Sequence, residues 1–210
     1  MIQTLALIRW ESPETYYVVA GTFLAAYFIG SVPFGLIFGW LAGAGDVRKI
    51  GSGNIGATNV LRTGNKLAAA ATVFFDAAKG FVPVLLAQQQ LGLEPFVAIA
   101  GLGAFIGHLF PVWLGFKGGK GVATFIGIAF ALDLEVAFFT AASWIVVARA
   151  TRYSSLAALV STGLTPVYFA IYGETLWAAL TALLALMIFI SHRANIVRLV
   201  RGEEPGIGAR

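Results

Sequence analysis

Long, nearly uncharged apolar runs constrain this chain most. They cover residues 15–45, 67–87, 95–113, 153–173 and 175–192, with Asp76 and Lys79 the charged exceptions. Each is near or beyond the roughly 20 residues that a helix needs to cross a bilayer. Soluble domains carry roughly 25% charged residues, whereas here 11% are charged and 59% hydrophobic. A soluble core of 210 residues has no use for so much apolar surface. A bilayer does, and the length allows one domain, residues 1–210, with no separate soluble one.

The middle of the chain reads differently. Residues 121–132 and 136–148 are apolar but short, and Asp133, Leu134 and Glu135 separate them. They are expected to be two short helices with snorkelling ends, or a re-entrant pair. Either way the chain returns to the same side. The expected fold is therefore an all-α integral membrane protein of about seven transmembrane helices, two of them short or re-entrant.

Basic residues set the expected orientation. Arg48, Lys49, Arg62 and Lys66 follow the first run, Lys117 and Lys120 the third, Arg149 and Arg152 the middle pair, and Arg193, Arg198, Arg201 and Arg210 the last. Only Arg9 and Lys79 stand elsewhere, and the alternate loops hold Glu94, Asp133, Glu135 and Glu174. The positive-inside rule then puts the N-terminus out and the C-terminus in. The net charge of +4 is accounted for by topology and by the anionic inner leaflet, so no nucleic-acid partner is expected. Glu11, Pro13 and Glu14 before the first run, with Arg9 the one basic residue there, do not match a cleaved signal peptide.

The chain contains no cysteine, which excludes disulfides and thiolate nucleophiles, and its two histidines, His108 and His192, make an ordinary zinc site unexpected. No metal is expected.

Polar chemistry is concentrated in three Gly-rich or polar clusters. Gly51, Ser52, Gly53, Asn54, Ile55 and Gly56 spell G-x-G-x-x-G, and Asp76 follows at the spacing of a ribose-binding acid. That fingerprint needs a preceding strand in a βαβ unit. Here an apolar span precedes it, so a dinucleotide site is rejected. A Gly-rich turn still lets backbone N–H groups converge on an anion. If a helix begins near Ala57, Thr58 and Asn59 share a face with Arg62. An ordinary flexible loop is the alternative; its length and patterning favour phosphate binding.

The second cluster runs from His108 and Pro111 into Gly115, Lys117, Gly118, Gly119, Lys120, Gly121 and Thr124. It lacks the Walker A order, but lysines on a Gly-rich bend before a helix suit phosphate. Headgroup anchoring would explain the lysines and leave the glycines unexplained. In the third, Ser191 or His192, Asn195 and Arg198 fall on one helical face. Such a polar stripe at the end of an apolar helix does not face lipid; capping or tying helices together is an equal alternative to catalysis for His192. Asp76 and Lys79, three residues apart inside a span, read as a structural ion pair, and Ser154 and Ser155 after Arg152 read first as helix caps.

With GSGNIGATNVLR (51–62), His108-x-x-Pro111 with GFKGGKGVAT (115–124), HRANIVRLVRGEE (192–204) and Phe75-Asp76-Ala77-Ala78-Lys79-Gly80, the chain resembles the bacterial acyl-phosphate:glycerol-3-phosphate acyltransferases, the PlsY family. The resemblance implies transfer of a fatty acyl group from acyl phosphate to the 1-hydroxyl of glycerol 3-phosphate. The product would be lysophosphatidic acid, made without a cofactor at the cytoplasmic face of a bacterial inner membrane. Acyl-CoA would not be the donor. In keeping with that, the His-x-x-x-x-Asp dyad of common acyltransferases is missing: position 113 is Trp and position 197 is Val. A mixed anhydride is already activated, so charge stabilisation can carry more of the work.

The expected substrate-binding residues are Ser52, Gly53, Asn54, Gly56, Thr58, Asn59, Arg62, Lys117, Gly118, Gly119, Lys120, Gly121 and Ser155. Arg62 and Lys120, helped by Ser155, are assigned to glycerol 3-phosphate. Ser52, Gly53, Asn54 and the 118–121 backbone are assigned to the donor and the developing oxyanion. His192 and Asn195 are the expected catalytic residues, orienting the hydroxyl. A membrane carrier of organic phosphates would use the same groups, but carriers place them near the bilayer midplane. A non-enzymatic lipid scaffold would explain the charges and not the glycines.

Overall fold

The computed structural model describes residues 12–208; Arg9, Glu11 and Arg210, which bear on the signal-peptide and orientation readings, lie outside the described residues. Ser12 caps the first helix by accepting from the Thr15 N–H, with Pro13 in the first turn where its missing N–H costs nothing. Helix α1 (Pro13–Gly30) stops at a break of Ser31, Val32 and Pro33, and α2 (Phe34–Leu41) resumes the direction of travel as part of one apolar segment. A 3₁₀ turn (Val47–Lys49) and the short α3 (Ala57–Leu61) follow. Asn65 then caps α4 (Lys66–Gln90) by accepting from the Ala68 N–H at 2.9 Å. Next come α5 (Glu94–Leu109), a 3₁₀ turn (Val112–Leu114), α6 (Val122–Leu132), α7 (Leu134–Thr151), α8 (Ser154–Ile171), α9 (Thr175–Ser191) and α10 (Arg193–Val200). Among the described residues, every regular element is helical.

Five segments are long and apolar enough to cross a membrane: 13–41, 66–90, 94–114, 134–151 and 154–171. A sixth arises if α9 and α10, bent by 65° at His192, are taken as one span, and α6 is apolar but short. All the runs read from sequence reappear as helices, with one correction. The middle pair is not two short helices, because α7 has 18 residues and is full length. Asp133, extended at φ −156°, accepts from the Val136 N–H at 2.8 Å, so the helix starts before Glu135 and runs past Arg149. Charges at both helix ends can snorkel, which a count of uncharged residues misses.

Helices α1 and α5 pack closely, as do α4 with α6, and α8 with both α7 and α9. The first two contacts rest on small residues. A methyl at Gly30 or Gly107 would strike the facing backbone of α5 or α1, and one at Gly80 or Gly127 that of α6 or α4. Backbone proximity of this kind is how helices associate where lipid removes the hydrophobic drive between them. Phe96, Phe105, Phe125, Ile128, Leu184 and Ile188 fill the interior, while Phe74, Phe138, Val146, Ile171 and Leu186 are exposed on the outside, as a lipid-facing surface requires. The polar loops gather at one end of this bundle.

Candidate active site

That end encloses a cavity of about 610 Å³ lined by residues of all three polar clusters. The first cluster is shaped by Asn59. Its buried amide donates to the carbonyls of Val47 (2.7 Å) and Asn54 (2.8 Å) and accepts from the Ser52 N–H (3.0 Å). Asn59 lines the cavity, yet these bonds commit its amide to holding the loop. Helix α3 begins at Ala57, where the sequence places it, and Asn54 accepts from the Gly56 N–H at 2.8 Å just before it. Gly51, with φ +54°, lies against the Arg62 side chain, so a larger residue there would be both strained and obstructed. Arg62 lines the cavity, and Thr58, which also does, meets Ser154 at 3.1 Å across from α8.

The second cluster folds under itself. The Gly118 N–H donates to the Leu109 carbonyl (2.9 Å) and the Gly119 N–H to the His108 carbonyl (3.1 Å). Those donors are therefore not free for an oxyanion, and neither glycine lines the cavity. Lys117 is exposed and does not line it, and Gly53 is exposed with its N–H on the Ile50 carbonyl (3.0 Å). These four assignments from sequence are not placed at the cavity; Ser52, Asn54, Gly56, Thr58, Asn59, Arg62, Lys120, Gly121, Ser155, His192 and Asn195 are. The loop's turn delivers Lys120 alone, whose ammonium donates to Asn195 Oδ1. Burial lowers its pKa to about 8; Glu204 opposes that shift, and Arg198 and Arg62 add to it.

Glu204, a residue given no role from sequence, ties the third cluster together. It accepts from Ser155 Oγ (2.6 Å), Asn195 Nδ2 (2.6 Å) and Arg198 Nε (2.7 Å). Burial pushes its carboxyl pKa up, but these three donors outweigh it and hold the group below the usual range. The chain after it returns to the turn between α7 and α8, with the Ile207 N–H on the Arg152 carbonyl at 2.7 Å. Only the acidic pair Glu203 and Glu204 in a basic terminal segment hinted at this.

His192 closes the wall, buried, with Nδ1 2.9 Å from the Ile188 carbonyl. A carbonyl only accepts, so Nδ1 donates and leaves Nε2 as the basic nitrogen of the neutral ring. The predicted pair Asp76 and Lys79 forms at 2.6 Å, with Lys79 also donating to the Val32 carbonyl at 2.8 Å. Among the described residues no group of three His, Asp or Glu is arranged to hold a metal.

Comparison with known proteins fits this geometry. A family model described as glycerol-3-phosphate acyltransferase matches residues 20–202. The chain belongs to that family. The glycerol-3-phosphate acyltransferase of Brucella suis is 55% identical over 193 residues, covering 92% of this chain and 95% of the relative. That of Brucella anthropi is 56% identical over 191 residues, covering 90% and 94%. The crystal structure of PlsY, an integral membrane glycerol 3-phosphate acyltransferase, in its glycerol 3-phosphate form is similar at TM-score 0.86 and 36% identity, covering 90% of this chain and 96% of that one. Its lysophosphatidic acid form is similar at TM-score 0.84 and 35% identity, covering 91% and 96%. This acyltransferase is thus a multi-pass integral membrane protein of PlsY type, and its polar cavity is the candidate active site.

Proposed function

We propose that the protein transfers a fatty acyl group from acyl phosphate to the 1-hydroxyl of glycerol 3-phosphate, releasing lysophosphatidic acid and inorganic phosphate on the cytoplasmic side of a bacterial inner membrane. The observation that carries this reading is the convergence of Arg62, Lys120 and Arg198 on one cavity that also holds His192 and Asn195. Both substrates bring a phosphate, and cations in a partly desolvated site bind phosphate oxygens strongly. Arg62 and Lys120 take the phosphate of glycerol 3-phosphate, with Ser155 beside them; Ser52, Asn54 and the Gly121 backbone face the donor.

In the transfer step the 1-hydroxyl oxygen forms a bond to the acyl carbonyl carbon. The bond from that carbon to the phosphate oxygen breaks, and the departing phosphate carries off the proton. Asn195 and His192 Nε2 orient the hydroxyl. His192 is held by a backbone carbonyl and not a carboxylate, which suits a donor activated in advance and needing little base strength. Membrane lipid surrounds the bundle, and no cofactor has a role in this step.

Purified protein incubated with glycerol 3-phosphate and either acyl phosphate or acyl-CoA tests the reading. Lysophosphatidic acid is expected from acyl phosphate, with acyl-CoA poor or inert. Efficient turnover of acyl-CoA under matched conditions, or none with acyl phosphate, would overturn it.

A further inference from the structure

The last turns of α7 border a second cavity, of about 300 Å³, that the transfer step does not use. Its wall is Trp144, Ile145, Ala148, Arg149, Arg152 and Ile207. Residues 145, 148, 149 and 152 are spaced three and four apart, so they form one face of the helix end. Ile207 comes from the returning C-terminal segment and is pinned there twice by Arg152. The Arg152 carbonyl accepts from the Ile207 N–H at 2.7 Å, and its Nη2 donates to the Ile207 carbonyl at 3.3 Å. Arg152 also holds φ at +62°, uncommon for a residue with a side chain, and so ends α7 and turns the chain into α8.

The recess has an apolar bed, a cationic rim and no acid. Arg149 and Arg152 are exposed, and neither meets a carboxylate among the described residues. The Arg149 side chain has no hydrogen-bond partner among them either. Two uncompensated guanidinium groups beside apolar surface match one class of ligand, an amphiphile with a phosphate head and an acyl tail. The setting agrees. Ile145 and Val146 are exposed on the lipid-facing outside, and the arginines follow at the helix end, where a spanning helix meets headgroup phosphates.

The recess also adjoins the chemistry, because Trp144 and Ile207 line both this cavity and the active-site cavity. Other exposed cations at this end, such as Arg193 and Arg201, border neither. We propose that the Arg149–Arg152 recess is a receiving site for phosphate-headed acyl amphiphiles, at which the donor lodges at the bilayer edge before its chain passes Trp144 into the active site. This rests on acyl phosphate being the donor. Anionic phospholipid of the leaflet carries the same head and tail chemistry and competes for the same groups.

The test compares two variants that each remove one exposed cation, Arg149→Gln at the recess and Arg201→Gln away from it. Each protein is placed in phosphatidylcholine nanodiscs, and kcat and KM are measured for acyl phosphate and for glycerol 3-phosphate. One cation facing a lipid phosphate at the membrane surface predicts a rise of about fivefold in KM for acyl phosphate in Arg149→Gln. Its kcat and its KM for glycerol 3-phosphate should be unchanged, and Arg201→Gln should match the unmodified protein. Equal rises in the two variants would overturn the inference, since attraction of the donor to a basic surface would then suffice. So would an unchanged KM in Arg149→Gln, or a loss shared by both substrates, which marks a merely structural arginine. Phosphatidylglycerol added to the discs separates the sources. A further rise in KM for acyl phosphate in the unmodified protein but not in Arg149→Gln shows bulk lipid entering the recess, and an equal response of the two reserves it for the donor. No turnover of acyl phosphate by the unmodified protein would instead strike the proposed function itself.

Discussion

Replacing Glu204 by glutamine tests the site's construction most directly. Gln keeps the volume and one acceptor oxygen, so Ser155 and Asn195 retain a partner. Its amide nitrogen must then face Arg198 Nε, donor against donor, where the native contact is 2.7 Å. A hydrogen bond to a charged group is typically worth ~1.5–3 kcal/mol. Arg198 is 35% exposed, and screening there reduces the loss to about 1 kcal/mol. For a chain of this length that is a fall in Tm of about 2–4 °C. The native carboxylate's stabilisation has the sign of a lowered pKa: it is present above the ordinary carboxylate range and lost as pH falls below it. Unfolding of the unmodified protein should therefore be acid-sensitive, and that of Glu204→Gln less so. A kinetic effect is expected as well. Glu204 helps keep Lys120 charged, so the neutral glutamine should lower the lysine's pKa further and raise KM for glycerol 3-phosphate severalfold near pH 7.5. Thermal unfolding in detergent, with KM measured across pH, reads both. A Glu204→Gln protein with the Tm and KM of the unmodified one would refute this account of the hub.

Lys120, with its pKa lowered to about 8 mainly by burial, holds its charge below that pH and loses it as pH rises through it. The efficiency toward glycerol 3-phosphate should show an alkaline limb near 8 that Lys120→Arg abolishes, and a profile flat to pH 9.5 would exclude the lysine from phosphate binding. Arg62→Ala should cut efficiency toward glycerol 3-phosphate at least tenfold with Tm little changed; unchanged efficiency in a folded protein would remove Arg62 from the site. Because the chain has no native cysteine, Ser52→Cys and Lys117→Cys should resist a membrane-impermeant thiol reagent in intact cells while Glu174→Cys reacts, and the reverse pattern would invert the orientation.

Much of the fold was legible because lipid makes hydropathy nearly sufficient. A helix in a bilayer must meet all its backbone hydrogen bonds internally, so each apolar run of adequate length has one solution. What escaped depended on charge at helix ends. Asp133 and Glu135 read as an interruption, yet Asp133 is the N-cap that lengthens α7. The convergence of the three clusters was legible for a related reason, since glycines and polar side chains in so apolar a chain have few places to go. Their finer assignment was not. Lys117 and Lys120 stand three residues apart in an irregular loop, where no periodicity says which turns inward. The turn is decided by Gly118 and Gly119 docking on the carbonyls of Leu109 and His108, a contact between segments that sequence does not pair. Glu204 was missed for the same cause, because its partner Ser155 lies far back in the chain on α8 and an acid in a basic terminal segment reads as solvated.

The arrangement has an electrostatic logic that explains why so many long-range contacts meet at one cavity. Binding phosphates requires cations gathered in a partly desolvated space, and here burial lowers the pKa of Lys120, with Arg198 and Arg62 adding smaller repulsions. A carboxylate among the cations relieves this, but one placed facing the substrate would repel phosphate too. Glu204 lines the cavity, but its carboxylate is engaged by three donors, Ser155, Asn195 and Arg198. The Asn195 amide stands between it and the lysine: Nδ2 donates to the carboxylate while Oδ1 receives the Lys120 ammonium. The negative charge thus steadies the lysine through an intervening dipole. Asn195 is consequently more than a polar residue near the reaction. It lets one acid support a phosphate site made of cations, and an aspartate there would set a second carboxylate against Glu204 in place of the donated hydrogen bond.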